Sequence, residues 1–185
     1  SGLASSASGI ASFVTAYDAH YDLNLEMSNK IEACILGSGS APRSLIGGFV
    51  LMDHKNNYSC TQVLSKADWP VDVLICLASK ETKKISSRQG MEISKRTSPL
   101  YQDWLGRNDK DISLALEAIN EKDMSRLESV TEENCNFMHE VMKTSKPPII
   151  YMNDVTHSCV AEIENLRTSG HKLFYTIDAG PQIKI

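Results

Sequence analysis

The stretch Gly37-Ser38-Gly39-Ser40-Ala41-Pro42-Arg43-Ser44-Leu45-Ile46-Gly47-Gly48-Phe49-Val50 decides how the chain is organised, because it closes a helix and opens a strand. Before it, Ser28 can cap a helix over 29–36 that stops at Gly37. After it, Gly47-Gly48 leads into Phe49-Val50-Leu51-Met52, which reads as a buried strand. A turn over 53–57 and a return strand over 58–64 make that strand half of a hairpin. Upstream, residues 7–21 carry Ile10, Phe13, Val14 and Tyr17 at helical spacing, with the helix N-terminus at Ser5-Ser6.

Downstream, composition shifts over 65–70, and the apolar run 71–78 reads as a continuous strand opening a second domain. Ser86 with Gln89 forms a capping-box pattern that places Ser87 at a helix start. Ser98-Pro99 gives a second start signal, Ser as cap and Pro in the first turn. Helices are predicted over 111–120, 123–143 and 156–167, the last closed by Gly170, and a strand over 172–176 runs into Asp178. On the long helix, Leu127, Val130, Phe137 and Val141 share one side, and Met124, Met138 and Met142 read as core filler. The expected class is α+β, built as a two-layer α/β arrangement.

With 185 residues the chain can bury a real core, in one or two domains. A net charge of −4, with no basic stripe interleaved with aromatics, argues against nucleic acid as a partner. No apolar run approaches the ~20 residues of a membrane span. The five cysteines are widely and irregularly spaced, without a Cys-x-x-Cys pair, and reduced thiols are the simpler account. The chain opens at Ser1 inside a loop and ends at Ile185 in strand pattern, so we expect the middle of a longer protein.

Three runs carry chemistry. Ser1-Gly2-Leu3-Ala4-Ser5-Ser6-Ala7-Ser8 leads into a helix whose first amides point at whatever lies before them, a ready anion site; the alternative is an ordinary Ser-capped helix. Ser38, Gly39 and Ser40 alternate donors with a permissive backbone, and Arg43 adds a permanent cation suited to a diphosphate or carboxylate. A C-cap followed by a flexible linker is the competing account. Asp178 heads Asp178-Ala179-Gly180-Pro181 at a strand end, where a carboxylate can orient or deprotonate a hydroxyl. Taken alone, that run is better read as a plain turn former. His20, His54, His139, His157 and His171 have no partner in sequence and read as structural or surface residues.

Together the runs resemble the mevalonate diphosphate decarboxylases, a branch of the superfamily of galactokinase, homoserine kinase, mevalonate kinase and phosphomevalonate kinase. The resemblance rests on SGLASSASGIA at 1–11, GSGSAPRSLIGGFV at 37–50, ISSRQGM at 85–91, TSPLYQDWL at 97–105 and YTIDAGP at 175–181. It implies a ribosomal S5 domain 2-like nucleotide-binding domain, of which 1–68 is the C-terminal part, then a ferredoxin-like domain over 69–185. It also implies ATP-dependent decarboxylation of mevalonate 5-diphosphate to isopentenyl diphosphate through 3-phosphorylation, in isoprenoid, lipid and sterol biosynthesis. The cofactors implied are ATP and Mg2+; the setting implied is a cytoplasmic homodimer.

By the same resemblance Asp178 and Arg43 are catalytic, and Ser38, Gly39, Ser40, Arg43 and Ser87 meet the substrate. Gly2, Leu3, Ala4, Ser5 and Ser6 meet the ATP phosphates, with Ser6 a magnesium ligand. Pro42 stands where the family usually has Cys or Ser, Ile46 where Tyr is common and Gln182 where Asn is usual, which bears on substrate preference. The alternatives are a related small-molecule kinase, a mevalonate-phosphate decarboxylase, or a non-catalytic scaffold on the same fold.

Overall fold

The structure, a computed structural model, describes residues 3–56, 58–81 and 83–185; Ser1, Gly2, Asn57 and Thr82 lie outside the described residues. Two compact units are present, one formed by Ala4–Val71 and the other chiefly by Asp72–Ile185. Among the described residues no helix is long and apolar enough to cross a membrane.

The first unit contains α1 (Ser5–His20), α2 (Met27–Gly37), a 3-10 turn (Ala41–Leu45), and the antiparallel strands β1 (Phe49–Asp53) and β2 (Ser59–Leu64). Its core is built from small residues. Ala11, Val14, Cys34 and Ala41 are buried together, with Ile10, Ala33 and Leu45 against them. The helices approach so closely that a Cβ on Gly37 would lie 2.7 Å from the Ile10 side chain. The expected stripe of α1 is only partly its buried face: Val14 is buried and Ile10 packs on the core, but Phe13 and Tyr17 are exposed, and Ala7 and Ala11 turn inward instead. Only small side chains let helices sit this close, so size decides the face over hydrophobicity. Gly48 has φ +76°, and a Cβ there would meet the Leu64 carbonyl oxygen at 2.3 Å, so the bulge entering β1 requires glycine.

The second unit holds β3 (Ile75–Cys76), α3 (Ser87–Thr97), α4 (Tyr101–Glu121), α5 (Met124–Lys143), α6 (Asp154–Thr168), β4 (Thr176–Ile177) and β5 (Ile183–Lys184). The strands form one antiparallel sheet in the order β3-β5-β4. Cys135, Ile163, Tyr175, Ile177 and Ile183 make its core, with α5 and α6 packed on the sheet. Local signals hold in part: Ser28 does not cap α2, which starts at Met27 with Glu26 as N-cap and no side-chain cap. Ser86 and Gln89 form the capping box of α3, and the Asp123 carboxylate accepts from the Ser125 and Arg126 amides at the start of α5.

Three expectations are corrected. The run 71–78 pairs as a strand only at Ile75–Cys76, extended by mutual backbone bonds between Leu74 and Ile185 at 2.9 Å. It is an edge, and Val73, Leu74 and Leu77 are exposed because the described residues supply no layer over them. The helix signalled at Ser98-Pro99 starts at Tyr101 and runs unbroken to Glu121, well before the expected 111. Ser98 instead closes α3, its hydroxyl accepting from the Leu100 amide and bonding Thr144 at 2.9 Å. Finally, the strand expected over 172–176 is confined to Thr176–Ile177.

Candidate active site

The candidate residues fall into both units, and each group is described within its own unit. In the first, Ser5 and Ser6 occupy the opening turn of α1. The helix is not capped by serine; Ala4 is the N-cap, in a left-handed conformation (φ 50°, ψ 31°) and without a side-chain cap. The amides of an opening turn have no partner within the helix, so those of Ser5 and Ser6 face outward beside two exposed hydroxyls. Ala4 is exposed ahead of them; Leu3, also exposed, is grouped with the other unit, and Gly2 lies outside the described residues.

The 37–44 loop is anchored rather than flexible. The Ser38 amide bonds the Cys34 carbonyl at 2.9 Å, ending α2, and the Ala41 amide bonds the Ser38 carbonyl at 3.0 Å. Ser38 and Ser40 bring their hydroxyls to 3.2 Å of each other. Ala41 and Pro42 are then fully buried, while Gly39 and Arg43 are exposed. Proline fits here because the first turn of a 3-10 helix needs no amide donor from it. The guanidinium stands near β2: burial pushes the Cys60 thiol up, and Arg43 pulls it back down.

In the second unit Asp178 leaves the end of β4 with its side chain 55% exposed. Residue 177 beneath it is held by α5. The Ile177 amide donates to Cys135 Sγ at 3.2 Å, and His139 Nε2 donates to the Ile177 carbonyl at 3.0 Å. The Gly180 amide bonds the Asp178 carbonyl at 2.8 Å, closing the turn. Lys83 Nζ donates to the Ala179 carbonyl at 2.9 Å, and Lys184 Nζ lies 2.7 Å from Asp178 Oδ2. Burial pushes the Lys83 ammonium below its ordinary range, with Asp178 opposing it. Burial likewise lowers the His139 imidazole, opposed by its Ile177 bond and by Asp178 and reinforced by Lys184.

Gln182, only 2% exposed, fastens the other side of the turn. Its Oε1 accepts the amides of Ala78 at 2.7 Å and Ser79 at 3.3 Å, and its Nε2 donates to the Ser79 carbonyl at 2.6 Å. Ser87 opens α3, exposed, on a helix start fixed by Tyr151. The Tyr151 hydroxyl donates to the Ile85 and Ser86 carbonyls at 3.2 and 3.3 Å, and a Cβ on Gly90 would lie 2.7 Å from it. Ile85, Tyr151 and Ala179 share one apolar cluster, so the segment leading to Ser87 and the Asp178 turn rest on the same base.

Two open clefts adjoin the turn. One of about 330 Å³ is lined by Asn108, Asp111, Asn134, Thr176 and Asp178. There the buried Asp111 carboxylate accepts from Asn134 at 2.8 Å. The other, about 450 Å³, is lined by Ser79, Lys83, Tyr151, Asn153 and Pro181. Among the described residues no group of three His, Cys, Asp or Glu side chains converges to hold a metal. Sequence reasoning missed Lys83, Cys135, His139, Tyr151, Gln182 and Lys184 as supports of the turn. Only the spacing of Cys135 and His139, four apart and therefore on one helix face, was open to it.

These elements define an α+β protein of the ribosomal S5-like fold shared by small-molecule kinases. A family model described as mevalonate 5-diphosphate decarboxylase C-terminal domain matches residues 73–185, and one described as diphosphomevalonate decarboxylase-like N-terminal domain matches 1–63. The chain belongs to the mevalonate 5-diphosphate decarboxylase family.

A diphosphomevalonate decarboxylase of Ganoderma lucidum is 36% identical, matching 100% of this chain and 49% of its own length. That of Danio rerio is 34% identical, with 100% and 48% covered. The mevalonate diphosphate decarboxylase structure from Staphylococcus aureus superposes with a TM-score of 0.88 at 34% identity, over 99% of this chain and 56% of that one. A structure described as MDDEF in complex with MVAPP, AMPPCP and magnesium gives 0.88 at 35%, over 99% and 57%. The chain spans about half the length of the curated relatives it matches.

Proposed function

We propose that the protein carrying this chain is an ATP-dependent diphosphomevalonate decarboxylase. ATP phosphorylates the tertiary 3-hydroxyl of mevalonate 5-diphosphate, releasing ADP. The C3–O bond then breaks, phosphate leaves, and the electron pair of the bond to the carboxylate becomes the new C=C as carbon dioxide departs, giving isopentenyl diphosphate. A tertiary alcohol leaves poorly until phosphorylated, and positive character at C3 is quenched by loss of the carboxylate.

In this reading Asp178 orients or deprotonates the 3-hydroxyl, and Arg43 holds the substrate carboxylate near the reacting carbon. Ser38, Gly39, Ser40 and Ser87 contact the substrate and its phosphates. The opening turn of α1, with Gly2, Leu3, Ala4, Ser5 and Ser6, cradles the nucleotide phosphates. Magnesium takes oxygen ligands and keeps much of its coordination for water and phosphate, and the Ser6 hydroxyl is a donor of that kind. When bound, the ion would supply charge neutralisation between phosphates. Residues 1–68 are assigned to the nucleotide-binding domain and 69–185 to a ferredoxin-like domain. A homodimer working in cytoplasmic isoprenoid, lipid and sterol synthesis completes the proposal.

The observation that carries it is a family match across the chain joined to an aspartate presented at a braced strand end. The test is a coupled assay on the full-length protein with mevalonate 5-diphosphate and, in parallel, mevalonate 5-phosphate, following carbon dioxide, phosphate and ADP. Carbon dioxide, phosphate and ADP in equal amounts from the diphosphate are expected; ADP without carbon dioxide overturns it. Arg43→Ala is expected to cut carbon dioxide release by about 10²-fold or more, the scale of losing one fixed charge-stabilising donor.

A further inference from the structure

We propose that Lys184 is a positioning residue for the Asp178 carboxylate, an inference that rests on the reading of Asp178 given above. The register makes the argument. Thr176 pairs with Lys184 across β4 and β5, and Ile177 pairs with Ile183. Strand alternation therefore puts Thr176, Lys184 and the continuation at Asp178 on one side of the sheet, while Ile177 and Ile183 fill the core at 1% and 0% exposure. Asp178 and Lys184 are diagonal neighbours, a separation that a long side chain spans easily. The ammonium closes to 2.7 Å of Oδ2.

Burial is unequal in this pair. The lysine side chain is 15% exposed and the aspartate 55%, so the cation is fixed and the carboxylate projects from it. Exposed ion pairs are often weak because two mobile chains must be ordered for one contact. Here packing orders the long partner, and the short partner has only two torsions to set. Lys184 holds Oδ2, which turns Oδ1 toward the substrate 3-hydroxyl.

The neighbouring groups feel the Asp178 charge but hydrogen-bond to backbone. Lys83, from the loop before α3, binds the Ala179 carbonyl. His139 and Cys135, from α5, bind the backbone of Ile177. They fix where the turn lies; Lys184 fixes which way its carboxylate faces. Aim matters for catalysis, since a misplacement of about 1 Å can cost ~10²-fold in rate.

The experiment compares Lys184→Met, Lys184→Arg and Asp178→Asn in the full-length protein, with crystal structures of the two Lys184 variants. Lys184→Met is expected to lower kcat for carbon dioxide release about tenfold or more while leaving KM for ATP within about twofold, with the Asp178 carboxylate rotated away. Lys184→Arg is expected to recover most of the kcat, because a cation at the same place restores the aim. A Lys184→Met kcat within about twofold of the parent, or an Asp178 side chain unmoved in its structure, overturns the inference. Full activity in Asp178→Asn overturns the decarboxylase role of Asp178 instead, and the rotamer comparison still decides whether Lys184 holds it.

Discussion

Removing the Gln182 side chain should loosen the strand edge that the Asp178 turn leans on. In Gln182→Ala the amides of Ala78 and Ser79 lose the acceptor at 2.7 and 3.3 Å, and the Ser79 carbonyl loses the donor at 2.6 Å. Each net hydrogen bond is worth about 1 kcal/mol, so losing all of them costs about 3 kcal/mol of local stability. At 1.36 kcal/mol per decade that is roughly 10²-fold faster exchange. The assay is native-state amide hydrogen exchange at Ala78 and Ser79 in the full-length protein.

The amides of Leu74 and Ile185 serve as internal references, since they bond each other's carbonyls at 2.9 Å without the Gln182 side chain. Gln182→Asn shortens the reach by roughly one C–C bond, ~1.5 Å, and should fall between. If Ala78 and Ser79 exchange in Gln182→Ala within about threefold of the parent rate, water or backbone replaces the lost partners and the reasoning fails.

Two further outcomes test the scaffold. Arg167 binds Glu128 at 2.8 Å and Glu132 at 2.5 Å, tying α6 to α5 with all three side chains less than a third exposed. Arg167→Met should lose about 2 kcal/mol in urea denaturation, and Arg167→Lys less, since it keeps the charge but not the fork. His139 is held below its ordinary value of 6.5, mainly by burial. Between 6.5 and the lower folded value the unfolded chain binds more protons, so stability rises with pH there and is lost as pH falls through that window. Urea denaturation at pH 7.5 and 5.5 should show a smaller loss in His139→Gln than in the parent.

Some signals that lie within a few residues were legible in the sequence, although Ser28, read as a cap, lies inside α2. The Ser86–Gln89 box depends only on neighbours and helical geometry. So does the end of α2 at Gly37, where glycine marks the stop and close packing on Ile10 supplies a second reason for it. The run 71–78 was misread because an apolar segment states what it can bury, not whether a partner strand is present on both sides. The 37–44 loop and the Asp178 turn were visible because Gly, Pro and Ser mark breaks in regular structure. Their supports were not. Gln182 reaches Ala78 across 104 residues of sequence and His139 reaches Ile177 across 38, and no local pattern encodes such pairings.

The two residues assigned to chemistry are mounted the same way. Arg43 is exposed on a turn whose preceding residues, Ala41 and Pro42, are fully buried. Asp178 projects beyond Ile177, which is 1% exposed and bonded from α5 on both its amide and its carbonyl. Burying charge is costly, so both heads stay toward water until substrate arrives: Arg43 is exposed, and Asp178 is 55% exposed even with Lys184 beside it. The backbone below each carries no such penalty and can be packed tightly. Precision then comes from the buried base and affinity for an anion from the exposed head. On this logic a substitution under the head, such as one at Ala41 or Ile177, should damage aim as much as stability, while one beside it on the open surface should do neither.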